Sequence, residues 1–369
     1  MRLLIKLLLL TAGITANAKS NDAQSGFMWF NSPEWWKNTP LDKTLQVASS
    51  ELDTCIIVAS NRKIAPDSMR YMTEKRDEGQ VHYFLVYTVK GAWHVLPVIS
   101  LPAAIAYLPN KNRDWVVYTE GMGKTFVGDL DRGIRMSAYY KVNVLLLDYP
   151  SLNTHKKTFK NYFFASKNAA IAYKEFSPVL DTVKQLRLAG KMGPGRITLF
   201  FHSMGNKVIK EIVQHPEKLQ QLNDIVWVNN LVLNSACVPQ RKHRVWLEKI
   251  RFARSVYVDY NPNDKTLFWA HLVSLKKQLG EKVKKPLTPK AYYVNFSSVA
   301  GREHSIFLPL PFHAPVIPEA IDYYRQVLHG KLMPLANETK YKPSTYNGIG
   351  WDIVAQHADT SLPASTAQK

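Results

Sequence analysis

Residues 197–208 read ITLFFHSMGNKV, and the fold turns on how that stretch is read. An apolar, strand-like run drives straight into Ser203, and an amphipathic helix pattern begins at once after it. A sharp strand-to-helix turn of this kind pushes a serine hydroxyl out of the backbone. The first N–H groups of the new helix then lie beneath it, placed to stabilise an oxyanion. The usual pattern is Gly-x-Ser-x-Gly; Gly205 keeps the second glycine, and Phe201 stands at the first. Crowding in the turn normally favours a small residue there, so the geometry at Phe201 decides whether the elbow can form.

Outward from this stretch, strand-like runs occupy residues 55–60, 81–89 and 94–99, the last two joined across Lys90-Gly91 as a hairpin. From residue 115 the pattern alternates. Strands are expected at 115–119, 142–149, 197–201, 225–233, 255–260 and 291–296. Helices are expected near 128–140, 166–189, 245–253, 266–279 and 318–328, with one more after Ser203 that ends at Pro216. Pro178 should kink the helix at 166–189 and Gly190 close it. An antiparallel lead-in followed by repeated β-α units predicts an α/β fold. Its central sheet should be mostly parallel, with an antiparallel N-terminal hairpin and helices on both faces. The expected organisation is a leader at 1–18, an aromatic arm at 19–50, the α/β domain at 51–330 and an irregular tail at 331–369.

The chain has 369 residues, 46% of them hydrophobic, ample for a sizeable core. Arg2 and Lys6 flank and interrupt a leucine-rich run at 3–10 that continues to Ala16-Asn17-Ala18. This is the pattern of a secretory signal peptide cleaved after Ala18, too short to span a bilayer core about 30 Å thick. The mature protein is therefore expected to be exported, periplasmic or secreted. A formal charge of +19 favours anionic partners, an anionic surface among them. No glycine and aromatic signature of an RNA-binding sheet and no Cys/His finger spacing accompanies it, so specific nucleic-acid binding is not expected. Cys55 and Cys237 sit in apolar runs, where buried free thiols are commoner than a bridge. No His pair at helical spacing with an adjacent glutamate is present, and no metal or cofactor is expected. Gly123-Lys124-Thr125 invites a phosphate-loop reading, but Tyr118 stands where that loop needs a glycine, and Phe126 where a dinucleotide fingerprint needs one. What survives is a glycine-rich turn whose N–H groups could face an anion.

In a parallel sheet, reactive groups gather on loops at the carboxyl ends of strands. Asp264 follows the strand at 255–260 in a turn, Asn261-Pro262-Asn263-Asp264, where it also suits a helix cap. His304 follows the strand at 291–296, within SSVAGREHSIF. Ser203, Asp264 and His304 thus fall at strand ends in the order Ser…Asp…His; the intervening strand end offers Asn234 and Ser235. Asp259, within a strand, and His313, on a loop, are the rival acid and base.

Through WVVYTEGMG, VLLLDYPS, FFHSMGNKV, VLNSACV, YVDYNPND and GREHSIF, from about residue 115 to 328, the chain resembles the α/β-hydrolases. It is similar in particular to a little-characterised bacterial exported branch whose elbow reads His-Ser-Met-Gly-Asn. The resemblance implies Ser203 as nucleophile, His304 as general base and then acid, and Asp264 orienting the imidazole. It implies backbone N–H groups of Met204 and Met122 as the oxyanion hole, and His202 as a structural part of the elbow. Glu120 stands where many relatives have histidine, and its carboxylate must point away from the oxyanion or be neutralised, with Lys124 nearby in sequence. The expected activity is hydrolysis of a small-molecule or lipid carboxylic ester through an acyl-enzyme. Two other readings stand beside it: a non-catalytic scaffold that binds an anionic surface or partner, and an acyltransferase using the same triad. Nothing in the sequence sets the oligomeric state.

Overall fold

The computed structural model describes residues 33–66, 71–310, 313, 315–335 and 337–355. The leader expected at 1–18 lies outside the described residues. The strands are β1 Thr54–Ser60, β2 Arg62–Ile64, β3 Met72–Arg76, β4 His82–Val89, β5 Ala92–Val98, β6 Trp115–Thr119, β7 Asn143–Asp148, β8 Ile197–His202, β9 Val228–Asn234, β10 Ala253–Tyr260, β11 Ala291–Asn295, β12 Tyr341–Pro343 and β13 Trp351–Ile353. The helices are α1 Pro33–Asn38, α2 Leu101–Ala106, α3 Phe126–Tyr140, α4 Thr158–Ile171, α5 Tyr173–Leu188, α6 Asn206–Gln214, α7 Pro216–Asn223, α8 His243–Leu247, α9 Lys265–Ser274, α10 Ser297–Ala300 and α11 Pro318–Leu328.

One sheet of 11 strands, in the order β12-β13-β11-β10-β9-β8-β6-β7-β1-β4-β5, carries the fold, and β2 and β3 form a separate pair. From β1 across to β13 every neighbour is parallel. The β4–β5 hairpin is antiparallel and closes one edge. The expected α/β architecture is what the chain adopts. Its central strands are buried on both faces, as a parallel sheet covered by helices requires. Alternation along β8 shows the two layers: Leu199 and Phe201 enter one core with Val208, Ile209 and Phe176, while Phe200 enters the other with Leu130, Tyr324 and Val327.

Several elements differ from the sequence reading. β1 is not only part of the antiparallel lead-in; it also pairs parallel with β7, which suits a run buried almost throughout. The helix expected at 166–189 is two helices that meet at Ala172, and Pro178 lies inside the second rather than at the break. The helix expected at 245–253 is the short α8, and Ala253 already belongs to β10. The largest difference lies in the segment expected to be an irregular tail, of which residues 356–369 lie outside the described residues; its part from Tyr341 to Ile353 is not irregular throughout. It returns to the sheet, where β13 joins β11 and β12 pairs with β13. Gly350, at φ +69°, makes this possible, because a Cβ there would stand 2.0 Å from the Tyr293 carbonyl oxygen. Asn295 Nδ2 then donates to Asp352 Oδ1 at 2.8 Å. Cys55 and Cys237 are both free and buried. No helix among the described residues is long and apolar enough to cross a membrane.

Candidate active site

β6 is followed in sequence by β7 on one side of it and by β8, further along the chain, on the other, so a crevice opens beyond the carboxyl ends of β6 and β8. Ser203 sits at the end of β8. Its φ is +50°, a left-handed backbone that a non-glycine residue adopts only when its surroundings hold it there. Those surroundings are visible. The Ser203 carbonyl accepts the Cys237 N–H at 3.0 Å and Asn206 Nδ2 at 3.0 Å, and the same amide donates to the Phe201 carbonyl at 2.8 Å. Asn206 opens α6, so the residue that starts the helix also clamps the turn.

Phe201 does not prevent this turn. Its side chain is fully buried in the sheet core, and its backbone pairs with Thr119 and Leu233. The demand for a small residue falls on Gly205 instead, where a Cβ would lie 2.7 Å from the Glu120 carbonyl oxygen and 2.8 Å from that of Thr119. Gly121 meets the same constraint from the other side: a Cβ on it would stand 2.6 Å from Ser203 Cβ and 3.3 Å from the Met204 nitrogen. The loop after β6 therefore lies directly against the serine, and Met122 lines one cavity with Ser203 and Met204.

That loop is fixed from below. The Gly123 N–H donates to the Ser151 carbonyl at 3.1 Å, and Ser151 Oγ bonds both the Lys124 nitrogen (3.1 Å) and its carbonyl (3.0 Å). Buried Arg62 holds Asp148 through Nε at 2.9 Å and reaches the Tyr149 and Lys124 carbonyls through Nη2 at 2.8 and 3.3 Å. A loop braced in this way keeps its backbone in one place against Ser203.

Glu120 is turned beneath the loop. Tyr118 Oη donates to its Oε2 at 2.5 Å and the Gly121 N–H to its Oε1 at 2.8 Å, while Arg132 Nε stands 3.7 Å away. Burial opposes its charge, but His202, Arg132, Lys124 and the Gly121 N–H outweigh that and hold the carboxyl well below its usual range. His202 is itself pushed down to about 3, mainly by burial, so near neutral pH it is uncharged and Arg132 with Lys124 supplies the positive balance.

Asp264 and His304 are brought together. His304 Nδ1 lies 2.6 Å from Asp264 Oδ2, and Asp264 Oδ1 accepts the Leu267 N–H at 2.9 Å, capping α9. An Nδ1–H donated to the carboxylate leaves Nε2 as the free acceptor. The His304 segment reaches the elbow at several points. The rings of His202 and His304 are 4.8 Å apart, Ser305 Oγ is 3.3 Å from His202 Nε2, and Ser235 Oγ donates to the His304 carbonyl at 3.1 Å.

The rivals are placed elsewhere. His313 is exposed and contacts Glu303 at 3.4 Å. Asp259 is buried, accepts Tyr323 Oη at 2.5 Å and Asn234 Nδ2 at 3.3 Å, and is pushed up to about 7 by burial. Asn234 is the residue whose part the sequence reading missed. It joins Asp259 to the elbow, since its Oδ1 lies 2.6 Å from His202 Nδ1 and its backbone carbonyl accepts Asn206 Nδ2 at 3.2 Å. Its position at the end of β9 was the available signal; nothing in the sequence told that it would bridge two buried titratable groups. Arg62 and Arg132 gave no signal at all.

The cavity beside Ser203 has a volume of about 360 Å³, within the usual range of about 300–1,000 Å³ for ligand sites. α4 contributes Phe159 and Tyr162, α9 contributes Leu267, Trp269, Ala270 and Val273, and Cys237 is also part of the lining. Burial pushes the Cys237 thiol up to about 11, so it lines the wall as an apolar group and not as a thiolate. Comparison with known protein families, with characterised proteins and with solved structures finds no match to this chain.

Proposed function

We propose that this chain is an α/β-hydrolase that cleaves a carboxylic ester through an acyl-enzyme, with Ser203 as nucleophile, His304 as base and Asp264 as its orienting acid. The observation that carries the reading is the conjunction at one crevice of a serine at φ +50° with a His304–Asp264 contact of 2.6 Å. In the proposed reaction His304 Nε2 takes the Ser203 proton as Oγ bonds to the ester carbonyl carbon. The backbone N–H groups of Met204 and Met122 receive the oxyanion. His304 then gives that proton to the departing alcohol oxygen as the C–O bond breaks. Water repeats the sequence on the acyl-enzyme, loses its proton to His304, and Ser203 recovers it when the carboxylic acid leaves.

Glu120 does not argue against this, because its carboxylate is engaged by Tyr118, Gly121 and Arg132 rather than facing the serine. The apolar walls of the 360 Å³ cavity favour an ester with a hydrocarbon acyl chain over a sugar or a peptide. Acyl transfer would use the same groups with an alcohol in place of water. Export through the leader at 1–18 remains part of the proposal. A fluorophosphonate probe tests the chemistry: it should label the protein and fail to label Ser203→Ala. Labelling that persists in Ser203→Ala refutes the assignment, and nitrophenyl esters of increasing chain length should be cleaved best when the acyl chain fills the cavity.

A further inference from the structure

The two helices that wall the cavity also present apolar side chains to solvent. On α4, Phe159 and Phe163 are one turn apart, 57% and 50% exposed, with ring centroids 5.1 Å apart. On α9, whose Leu267, Trp269, Ala270 and Val273 line the cavity, Phe268 and Leu272 are exposed four residues apart, and Leu275 follows its end at 86% exposure. Isolated exposed apolar residues are ordinary, but five on the two helices that wall one cavity, with Phe159 also part of its lining, are more than a scatter, and exposed apolar patches mark contact surfaces.

The charge around the patch selects the occupant. Residues 151–172 and 265–277 contain no Asp or Glu. They carry Lys156, Lys157, Lys160 and Lys167 on and before α4, and Lys265, Lys276 and Lys277 on and after α9, all exposed. The carboxylates that reach these segments are occupied: Glu74 accepts the Thr154 N–H at 2.8 Å, and buried Glu281 contacts His271 at 3.2 Å. Exposed aromatic and leucine side chains on segments that carry lysines and no acids match an anionic bilayer: the rings would enter the acyl boundary and the ammonium groups meet lipid phosphates.

We propose that the α4–α9 rim seats on an anionic phospholipid bilayer with the cavity mouth facing it, so that the ester delivered to Ser203 is an acyl lipid drawn from that surface. The substrate part rests on the serine-hydrolase reading; the docking part does not. Vesicles of phosphatidylcholine, alone or mixed with phosphatidylglycerol, test it by sedimentation with Ser203→Ala, which consumes no lipid. The protein should bind the mixed vesicles, weakly the neutral ones, with affinity falling steeply as salt rises. A variant with Lys157, Lys160, Lys276 and Lys277 changed to Gln should bind at least about 100-fold more weakly, since each lysine near such a surface is worth roughly fivefold. A second variant, Phe163→Ser with Phe268→Ser, Leu272→Ser and Leu275→Ser, should lose vesicle binding and turnover of vesicle-borne ester. It should keep its turnover of a soluble short-chain nitrophenyl ester. Failure to bind mixed vesicles, or binding indifferent to both variants, overturns the proposal. Soluble-ester turnover without vesicle binding leaves the hydrolase reading standing alone. Vesicle binding by a protein that cleaves no ester keeps the docking surface and removes the substrate.

Discussion

Asp264→Asn separates two tasks that one carboxylate performs. Oδ1 caps α9 at 2.9 Å from the Leu267 nitrogen, and Oδ2 lies 2.6 Å from His304 Nδ1. Asparagine caps a helix about as well as aspartate, so folding should be nearly unaffected. The amide that replaces Oδ2 presents N–H to the imidazole, however, and His304 must then accept at Nδ1 and carry its proton on Nε2. That tautomer cannot take the Ser203 proton, and turnover should fall roughly 10⁴-fold. Asp264→Ala removes the cap at about 1 kcal/mol and leaves the imidazole N–H unpaired at roughly 1–3 kcal/mol more. Its turnover should fall as far as that of Asp264→Asn, while its urea midpoint drops well below. Both quantities are read from nitrophenyl ester kinetics and urea titration on the same preparations. Asp264→Asn retaining more than about a tenth of native turnover would refute the orienting role, because the wrong tautomer costs orders of magnitude. An alanine variant much less active than the asparagine variant would assign the effect to the cap.

Gly121→Ala would place a Cβ 2.6 Å from that of Ser203, so turnover should fall by at least about 10²-fold from displaced oxyanion donors and the urea midpoint should drop as well, since overpacking of this kind costs about 1–3 kcal/mol; native turnover would place the loop elsewhere. Asp259, pushed up to about 7 by burial, contributes stability that is complete below the unfolded carboxylate value near 4 and is lost as pH rises through 7. His202, pushed down to about 3, does the opposite: its contribution is complete above roughly 6.5 and is lost as pH falls toward 3. The two slopes oppose each other between about pH 4 and 6.5, so Asp259→Asn should make stability rise with pH there more steeply than in the native protein, by up to about 1.4 kcal/mol per pH unit. Parallel urea-midpoint curves for the two proteins would refute the burial of that proton.

Most of the sheet, and the order in which Ser203, Asp264 and His304 follow its strands, were already written in the sequence. Apolar runs such as VVY, VLLLD and ITLFF are short, continuous and separated by helix-period segments, and that information is local. β6 and α11 fall where periodicity puts them, because each is bounded by residues that start or stop it: Pro318 and Gly330 in the case of α11. The positions of Ser203, Asp264 and His304 at strand ends were legible for the same reason. Tertiary structure decided what periodicity cannot carry. Three-residue strands such as β12 and β13 have no readable period, and they exist because Gly350 allows the chain to approach Tyr293. Whether Phe201 would block the elbow depended on which layer its ring enters and on Gly205 making the close approach instead. The direction of the Glu120 carboxylate depended on Arg132, which α3 brings back to it from further along the chain, together with Tyr118 just before it on the β6 strand. Partnerships between buried charges are set by distance in three dimensions, and a one-dimensional pattern holds no measure of it.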